Sequence, residues 1–467
     1  MSEDLKKAIE KTVDKILAIE NTHRDLPILK TNDPAEIRKV IDAALPQNPV
    51  SFDALLTEFE HQIAPFLNRN TSPKYAAYIT GSGNDIGPIA EFIKGFYNQN
   101  ALKWNNSPIA NELEQLVIRW VADFIKLPAY NKGFITSGGS MSNLMALHLA
   151  LAKHCPEREQ KGFYNQQALT VYCSNQTHSS IERAMVFLGL GRDYLRKIEV
   201  NDRYQMDVPK LKSAIEKDIA AGLKPLAIIA NAGTTNTGSI DDLEAVGEIA
   251  RQFNIWYHVD GAYGLPARAL ENHFEKFNGV ELADSIIINP HKWMYVPFEA
   301  SCVLVKEIPK AIHFEPDYLY TENRGARQES SEHTIELSKE FKALKIWFTL
   351  KYYGAKQLGQ FVENDIKLIA YLGEQLGKHE HIEIEKEHPL SILCFRWFDP
   401  SISEEANEKV NINTLRRIEK EGAIFITGTK LKGKTYLRAY FGNPNRTKED
   451  VDYMVSKIIG TFKRTIH

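Results

Sequence analysis

The stretch Ser285–Lys306, SIIINPHKWMYVPFEASCVLVK, places a lysine between two apolar runs. Ile286–Ile288 predicts a buried strand that ends at the turn-forming pair Asn289-Pro290, and Ala300–Val305 predicts a second buried strand. Burying Lys292 costs free energy unless the fold uses its amine. A desolvated lysine has a lowered pKa and can act as a nucleophile toward a carbonyl group. The alternative is that Lys292 lies at a strand end with its amine in water.

The composition limits the class of protein and its partners. The chain has 467 residues, enough for two or three domains, and its 43% hydrophobic and 25% charged residues are typical of a soluble globular protein. The formal net charge is -3 and the sequence has no long basic block, which argues against nucleic acid as a partner.

The cysteines and the N-terminus indicate a reducing compartment. The four cysteines are scattered and form no C-x-x-C pair, so we expect neither a metal site nor a disulfide framework. The first residues predict an amphipathic helix rather than a signal peptide, and no apolar stretch has the length of a bilayer. We therefore expect a cytoplasmic protein with no membrane partner.

The N-terminal region predicts an all-helical arm. Helical patterns cover residues 2–19, 35–44 and 51–66, and prolines punctuate the segments between them. An arm of about seventy residues with apolar faces cannot bury them by itself, so we expect it to pack on another domain or subunit.

The middle of the chain alternates strand-like and helix-like segments, which indicates a largely parallel sheet with crossover helices. Ligands of such sheets bind beyond the carboxyl ends of the strands. The predicted strands are Leu169–Ser174, Ile198–Val200, Leu226–Ala230, Ile255–Val259 and Ser285–Ile288, and the predicted helices are Ser179–Leu188, Val208–Ala220 and Leu243–Gln252.

Polar residues follow several of these strands. Each has an ordinary structural explanation as a cap, a turn former or a helix residue, but together they predict a functional site at one sheet edge. The residues are His178, Thr235, Asp260, Asn289, His291 and Lys292.

A turn rich in glycine and serine precedes another predicted helix. Gly139 and Ser140 lie just before a helical pattern over residues 141–153. The N-terminus of a helix presents free N–H groups and the positive end of the helix dipole, which suits a phosphate. An ordinary helix cap explains the same residues.

Three segments resemble the group II pyridoxal-phosphate-dependent amino-acid decarboxylases, which include the aromatic-L-amino-acid, histidine and glutamate decarboxylases. The resemblance extends from about residue 50 to residue 460, with the motifs in family order. The segments are SNQTHSSIERA at 174–184, HVDGAYG at 258–264 and NPHKW at 289–293.

The resemblance implies an α/β fold of the aspartate-aminotransferase-like type (fold type I) and a homodimer with active sites at the interface. We expect a helical arm at residues 1–75, a large domain with a mostly parallel sheet at 76–345 and a small α+β domain at 346–467. The implied cofactor is pyridoxal 5'-phosphate, and the implied reaction is decarboxylation of an L-amino acid to the amine and CO2.

The resemblance also implies roles for individual residues. Lys292 matches the lysine that forms the internal aldimine, Asp260 the carboxylate facing the pyridine nitrogen, and His178 the imidazole stacked over the ring. An ionised aspartate there keeps the ring nitrogen protonated, so that the ring can accept electrons from Cα. The remaining matches are Ala262 under the ring, Thr235 beside the phenolic oxygen, and Gly139, Ser140, Asn289 and His291 near the phosphate.

One feature departs from the family pattern. Many members carry a tyrosine on a mobile loop, which is thought to return a proton to Cα. The matching loop here is about residues 320–334, and the tyrosine position falls near Ser330, with Tyr318 and Tyr320 earlier and His333 later. Some relatives without this tyrosine convert amino acids to aldehydes by decarboxylation with oxidative deamination, which is our alternative.

The substrate pocket is predicted from the resemblance alone. Its matching residues are Lys74, Tyr75, Asn100 and Leu102, and Arg438 matches an arginine that is thought to contact a substrate carboxylate. These groups are more polar than those of an aromatic decarboxylase, which favours a small, polar, hydroxylated or imidazole side chain. The alternatives are that Lys74 points to solvent and that Arg438 is structural.

The C-terminal region contains a motif of another class. Residues 428–435, GTKLKGKT, match the P-loop pattern, which requires a helix after it. Strand-forming residues follow instead, so we predict a hairpin and keep nucleotide binding as a remote alternative. The predicted strands of this region are Leu393–Trp397, Ala423–Thr427 and Tyr436–Phe441.

Overall fold

The computed structural model describes residues 3–22, 26–30, 33–163, 167–309, 330–386 and 389–466. The α-helices are α1 (Glu3–Thr22), α2 (Pro34–Ile41), α3 (Phe52–Glu58), α4 (Gly87–Tyr97), α5 (Pro108–Phe124), α6 (Gly139–His154), α7 (Arg158–Lys161), α8 (Ser180–Phe187), α9 (Val208–Ala220), α10 (Leu243–Phe253), α11 (Glu271–Phe274), α12 (Ala343–Leu376, bent at Gly354), α13 (Glu404–Glu421) and α14 (Lys448–Ile466). The strands are β1 (Lys132–Thr136), β2 (Leu169–Ser174), β3 (Leu195–Ile198), β4 (Lys224–Asn231), β5 (Trp256–Asp260), β6 (Ser285–Ile288), β7 (Ser301–Val305), β8 (Ile382–Ile384), β9 (Ile392–Trp397), β10 (Thr427–Leu431) and β11 (Lys434–Tyr440).

The larger of two compact units comprises residues 79–366 and 386–392 and contains a seven-stranded sheet of order β1-β7-β6-β5-β4-β2-β3. The neighbouring strands from β6 to β3 pair in parallel, and β7 runs antiparallel to both β1 and β6. The prediction of a largely parallel sheet with crossover helices is therefore confirmed, and the fold is fold type I.

The burial of the central strands explains why their sequences are continuous apolar runs. Every residue of β2, β5, β6 and β7 is buried, as expected for strands covered on both faces. The core of this unit includes Leu149 of α6 and the strand residues Val171, Ile229, Ile287 and Val303.

Aspartate side chains fix the start of two crossover helices. Asp207 accepts a hydrogen bond from the N–H of Lys210 at the start of α9, and Asp242 accepts one from the N–H of Ala245 at the start of α10. Each cap satisfies one of the N–H groups that a helix leaves unpaired. Helix α9 connects β3 to β4 and helix α10 connects β4 to β5, so that the three strands run in the same direction.

One strand of the large sheet differs from the prediction. The predicted strand Ile198–Val200 is displaced, because the chain pairs Leu195–Ile198 with β2 in the register Val171 to Leu195. This edge strand is only half-buried over its first residues, so it lacks the apolar run that marks the central strands.

The smaller unit comprises residues 1–78, 367–385 and 393–467 and contains a four-stranded sheet of order β10-β11-β9-β8. Its buried core includes residues of β9, β11 and α14, among them Leu393, Phe395, Leu437, Ile458 and Phe462. In the N-terminal arm, α3 continues as a π-helical and then a 3-10 turn to Phe66. The three domain boundaries that we expected from the sequence stay a prediction.

The P-loop-like segment is a hairpin, as predicted. β10 and β11 pair antiparallel and are joined by Lys432 and Gly433, whose φ angles are 49° and 83°. Two positive φ angles are typical of the tight turns of hairpins. A strand therefore follows the motif in place of the helix that a phosphate-binding loop requires, which removes the support for nucleotide binding there.

The predicted strand Ala423–Thr427 is wrong. Within it, Phe425 forms an isolated bridge with Tyr75, and β10 begins only at Thr427. The N–H of Ala76 donates to the carbonyl of Phe425 at 2.8 Å, so this apolar run is buried without joining the sheet. An apolar run in the sequence indicates that a segment is buried. It does not show which other segment the backbone of that run pairs with.

Within the described ranges, no helix has both the length and the apolar character that crossing a membrane requires.

We expect Gly133→Ala to destabilise the larger unit. A Cβ at Gly133 would lie 1.9 Å from the carbonyl oxygen of Val303 on the adjacent strand, so β1 and β7 would have to separate. The cost is about 2–4 kcal/mol, and thermal unfolding would measure it.

The matched control is Gly460→Ala in α14. Its Cβ would meet only the flexible end of Arg464, at 3.4 Å, and replacing a helical glycine stabilises by about 0.5–1 kcal/mol. Equal unfolding midpoints for the two variants would contradict the close approach of β1 and β7.

Candidate active site

A cavity of about 400 Å³ lies at the edge where the parallel strands of the larger unit end. The segments after β1, β2, β4, β5 and β6 all contribute to its lining, as the strand-end rule predicts. Its lining includes all nine residues that the sequence predicted to contact the cofactor: Gly139, Ser140, His178, Thr235, Asp260, Ala262, Asn289, His291 and Lys292. Their roles toward a ligand stay predictions.

Lys292 lies in the turn that follows β6. Its N–H donates to the carbonyl of Asn289 at 2.9 Å, and its side chain is half-buried. Burial lowers the pKa of the amine, and the charge of Asp260 opposes that shift in part. A larger fraction of Lys292 is therefore the free amine at neutral pH than for a lysine in water.

The chain after Lys292 is fixed by a buried carboxylate on α12. The indole N–H of Trp293 and the hydroxyl of Tyr295 donate to Asp365 Oδ2 at 3.0 and 2.7 Å. Trp293 also stacks on Tyr263, with ring centroids 5.1 Å apart. These contacts restrict the backbone that carries Lys292, which a nucleophile needs if its amine is to stay aimed at the cavity.

Asp260 is the last residue of β5 and accepts hydrogen bonds on both carboxylate oxygens. Asn143 Nδ2 donates to Oδ2 at 2.9 Å, and the N–H of Ala262 donates to Oδ1 at 3.1 Å. These two hydrogen bonds fix the orientation of the carboxylate. Asp260 can therefore present its carboxylate to a cationic nitrogen in the cavity.

His178 precedes α8 and is held through its Nδ1 atom. The N–H of Ser180 donates to Nδ1 at 3.2 Å, and Ser180 Oγ lies 2.9 Å from the same atom. Burial lowers the pKa of His178, Asp260 opposes this shift, and the charges of Lys292 and Arg183 add to it. The ring is therefore neutral at pH 7, with its proton on Nε2.

The opposite part of the cavity suits an anion. α6 begins at Gly139, and the first N–H groups of a helix have no partner within it. A Cβ at Gly139 would lie 2.8 Å from Asn289 Nδ2, so only glycine leaves that approach open. The amide of Asn289 is itself fixed by Ser301 Oγ, which donates to Oδ1 at 2.6 Å. Free N–H groups at a helix N-terminus beside an oriented amide form a cradle for phosphate.

His291 adds a neutral donor to this cradle. The N–H of Ala300 donates to its Nδ1 at 3.1 Å, which leaves the ring proton on Nε2. Burial, followed by the charges of Lys292 and Lys345, lowers the pKa of His291 to about 3. The ring also stacks on Phe298 at 4.6 Å.

Sequence reasoning missed several lining residues. Asn143, Asn231, Phe298 and Glu299 also line the cavity. Asn231 is the last residue of β4, so the strand-end rule would have found it. Asn143 lies one turn inside α6, where no local pattern distinguishes it from other helical residues.

The predicted substrate residues do not line this cavity. Tyr75 and Arg438 belong to the smaller unit, where Tyr75 packs on Phe425 and Arg438 donates to Thr427 Oγ1 at 3.1 Å. The amine of Lys74 lies over the ring of Tyr453 at 4.5 Å.

Asn100 and Leu102 belong to the larger unit and contact each other: Asn100 Oδ1 accepts the N–H of Leu102 at 3.1 Å. The substrate role of all these residues stays a prediction. Most of the predicted lid, including Tyr318 and Tyr320, lies outside the described residues, and Ser330–His333 forms a short 3-10 helix.

Comparisons with known proteins agree with this geometry. The family model described as "Pyridoxal-dependent decarboxylase conserved domain" matches residues 34–398. The chain is 29% identical over 463 residues to the aromatic-L-amino-acid decarboxylase of Bacillus atrophaeus, covering 98% of this chain and 95% of that protein. It is also 29% identical over 455 residues to the phenylacetaldehyde synthase of Arabidopsis thaliana, covering 95% and 92%.

Two solved structures share the fold over the whole chain. The Oryza sativa TDC structure with PLP and tryptamine has a TM-score of 0.95 at 24% identity, covering 100% of this chain and 99% of that chain. The tryptophan decarboxylase of Catharanthus roseus in complex with L-tryptophan has a TM-score of 0.90 at 26% identity, with the same coverage.

We expect Lys292 to titrate at lower pH than an ordinary lysine, because its burial penalises the ammonium form. Competitive acetylation of the protein without added ligand, followed by peptide mass spectrometry, would measure the pH at which each lysine becomes reactive. The midpoint of Lys292 should lie below the value of about 10.4 that lysine has in water. A midpoint equal to that of Lys6, which is exposed on α1, would contradict the desolvated site.

Proposed function

The chain belongs to the pyridoxal-dependent decarboxylases, and we propose that it uses Lys292, Asp260 and His178 to remove the carboxylate of an L-amino acid as CO2 and release the amine. The observation that carries this proposal is the convergence of nine predicted residues, from distant parts of the sequence, on one cavity. The cavity has a lysine with a lowered pKa, an oriented carboxylate and an anion cradle, and these are the groups that pyridoxal phosphate requires.

Different residues of the cavity would hold different parts of the cofactor. The N-terminus of α6 and the side chains of Asn289 and His291 would hold the phosphate, Asp260 would face the ring nitrogen, and Lys292 would hold the aldehyde carbon. When bound, the cofactor supplies an electron sink for the pair of electrons left at Cα when CO2 departs.

The protein groups supply charge, orientation and protons. Asp260 would face and stabilise a protonated ring nitrogen, because hydrogen bonds from Asn143 and Ala262 hold its carboxylate in place. Lys292 would supply the amine, and burial lowers its pKa because it disfavours the ammonium form. His178 presents an Nε2–H donor to the cavity, where it can bind the substrate carboxylate and orient it for loss.

We infer that the substrate is an aromatic L-amino acid with a polar ring, of which tyrosine is the first to test. The names of the relatives support an aromatic side chain. The polar side chains that the sequence resemblance assigns to the substrate pocket, Lys74 and Asn100, favour a hydroxylated ring over a purely apolar one.

Four buried cysteines support a reducing, cytoplasmic setting for this reaction. Cys155, Cys173, Cys302 and Cys394 are all buried and form no disulfide with one another. Disulfides would be the rule for exported domains of oxidising compartments.

Lys292→Ala should abolish the covalent attachment of the cofactor. The parent protein with pyridoxal phosphate should show a visible absorbance band that borohydride erases, and the variant should lack this band. Activity should fall by roughly a thousandfold or more, because the nucleophile is absent. A parent protein that stays colourless with added pyridoxal phosphate would refute the enzyme assignment.

The products decide between the two reactions of the family. With tyrosine, phenylalanine, tryptophan, histidine and glutamate offered separately, we expect CO2 and the amine in equal amounts, with tyrosine the fastest. Aldehyde, ammonia and hydrogen peroxide would establish the oxidative alternative, which the serine near the expected tyrosine position favours.

We also propose that the chain forms a homodimer. Val13, Ile16 and Leu17 of α1 are 49%, 59% and 56% exposed, and Ile89 and Phe92 of α4 are more than half exposed. Apolar faces of this kind are typical of subunit interfaces. Burying them against a second copy would remove this surface from water.

Light scattering should therefore give twice the chain mass of 53.1 kDa. Replacing Ile16 and Leu17 together by glutamate should shift the protein toward the monomer, because two carboxylates would be buried at the interface. The control is Lys6→Glu on the same helix, which changes an exposed charge and should leave the dimer intact. A parent protein of one chain mass would refute the dimer.

A further inference from the structure

Asn143, one turn inside α6, has a buried side chain that bonds three groups of the larger unit. Its Oδ1 atom lies 2.9 Å from His258 Nε2, and its Nδ2 atom donates to Asp260 at 2.9 Å and to Ser180 Oγ at 2.8 Å. Both hydrogens of the amide are therefore used, and one of them reaches the carboxylate at the centre of the candidate active site.

The orientation of this amide is imposed from both ends. If the amide were reversed, its oxygen would face an oxygen of Asp260, and two acceptors would repel each other. His258 Nε2 must then carry a proton, because it faces the amide oxygen.

A chain of donors fixes that proton on His258. The indole N–H of Trp256 donates to Ser285 Oγ at 2.9 Å, and this hydroxyl lies 2.8 Å from His258 Nδ1. Since Ser285 accepts from Trp256, its own hydrogen is free to bond Nδ1. The carbonyl oxygen of Ser285 also lies near Nδ1, at the longer distance of 3.2 Å. Burial lowers the pKa of His258 to about 4, so the ring has one proton, and the shorter contact with the amide oxygen of Asn143 assigns that proton to Nε2.

All the hydrogen bonds of this chain thus point the same way, from Trp256 through Ser285, His258 and Asn143 to Asp260. Successive bonds of one direction polarise and strengthen each other. We propose that His258 is a positioning residue that acts through Asn143 to keep the carboxylate of Asp260 aimed at the ring nitrogen of the bound cofactor. This inference rests on the proposed function, since it assigns Asp260 to that nitrogen.

The contribution of His258 can be measured as the affinity of the ligand-free protein for pyridoxal phosphate. His258→Leu removes the donor to the amide oxygen, so only the contacts with Asp260 and Ser180 still hold the amide and its orientation is less firmly fixed. Asn143→Leu removes the amide itself. We expect the dissociation constant of pyridoxal phosphate to rise about tenfold in each variant.

Three comparisons separate this role from a merely structural one. His258→Gln keeps an N–H donor and should restore affinity to within about threefold of the parent. The double variant His258→Leu with Asn143→Leu should bind about as weakly as Asn143→Leu alone, because both act along one path. Tyr172→Phe on β2 of the same sheet, which removes a buried hydrogen bond to Asp218 of α9, should leave affinity unchanged.

Nitrogen NMR of ring-labelled histidine in the ligand-free protein tests the chain without the cofactor. At pH 7 the signal of His258, assigned with His258→Gln, should be that of a neutral ring with its proton on Nε2. A proton on Nδ1, additive losses in the double variant, or no rescue by glutamine would overturn the inference. A parent protein that does not bind pyridoxal phosphate would instead refute the proposed function, and the NMR result would still decide the direction of the chain.

Discussion

The parallel register of β4, β5 and β6 is the constraint on which the site depends. Asn231 pairs with Asp260, and Asp260 pairs with Ile287, so the three strands end at one level. Successive side chains of a strand point to opposite faces, and a slip of one residue would turn Asp260 away from the cavity. The apolar faces of these strands resist such a slip, because it would exchange buried for exposed positions. The hydrophobic core thereby sets the position of the charged groups.

Burial then sets the protonation of the site. Desolvation disfavours every added charge, so His178, His258 and His291 are neutral and Lys292 has a lowered pKa. Asp260 accepts hydrogen bonds from two donors, which hold its buried carboxylate in place. The result is a cavity with an oriented carboxylate, an amine of lowered pKa and imidazole donors around them, which can bind a charged cofactor.

Overall similarity does not separate the two products. An aromatic-amino-acid decarboxylase and a phenylacetaldehyde synthase match this chain at the same 29% identity over nearly its whole length. The identity of the product is therefore a question for direct measurement.

The sequence by itself determined the central strands, their crossover helices and the nine residues around the cavity. Local apolar runs mark strands that are buried on both faces, and parallel strands bring the residues after them to one edge. Only the tertiary structure placed the edge strand at Leu195–Ile198 and buried Phe425 outside the four-stranded sheet. At both places the apolar pattern of the sequence does not match the pairing of the backbone. The tertiary structure also decided the link from His258 to Asn143, two residues 115 positions apart. A hydrogen bond of this kind leaves no local pattern, because its partners meet only after the sheet has formed and α6 has packed against it.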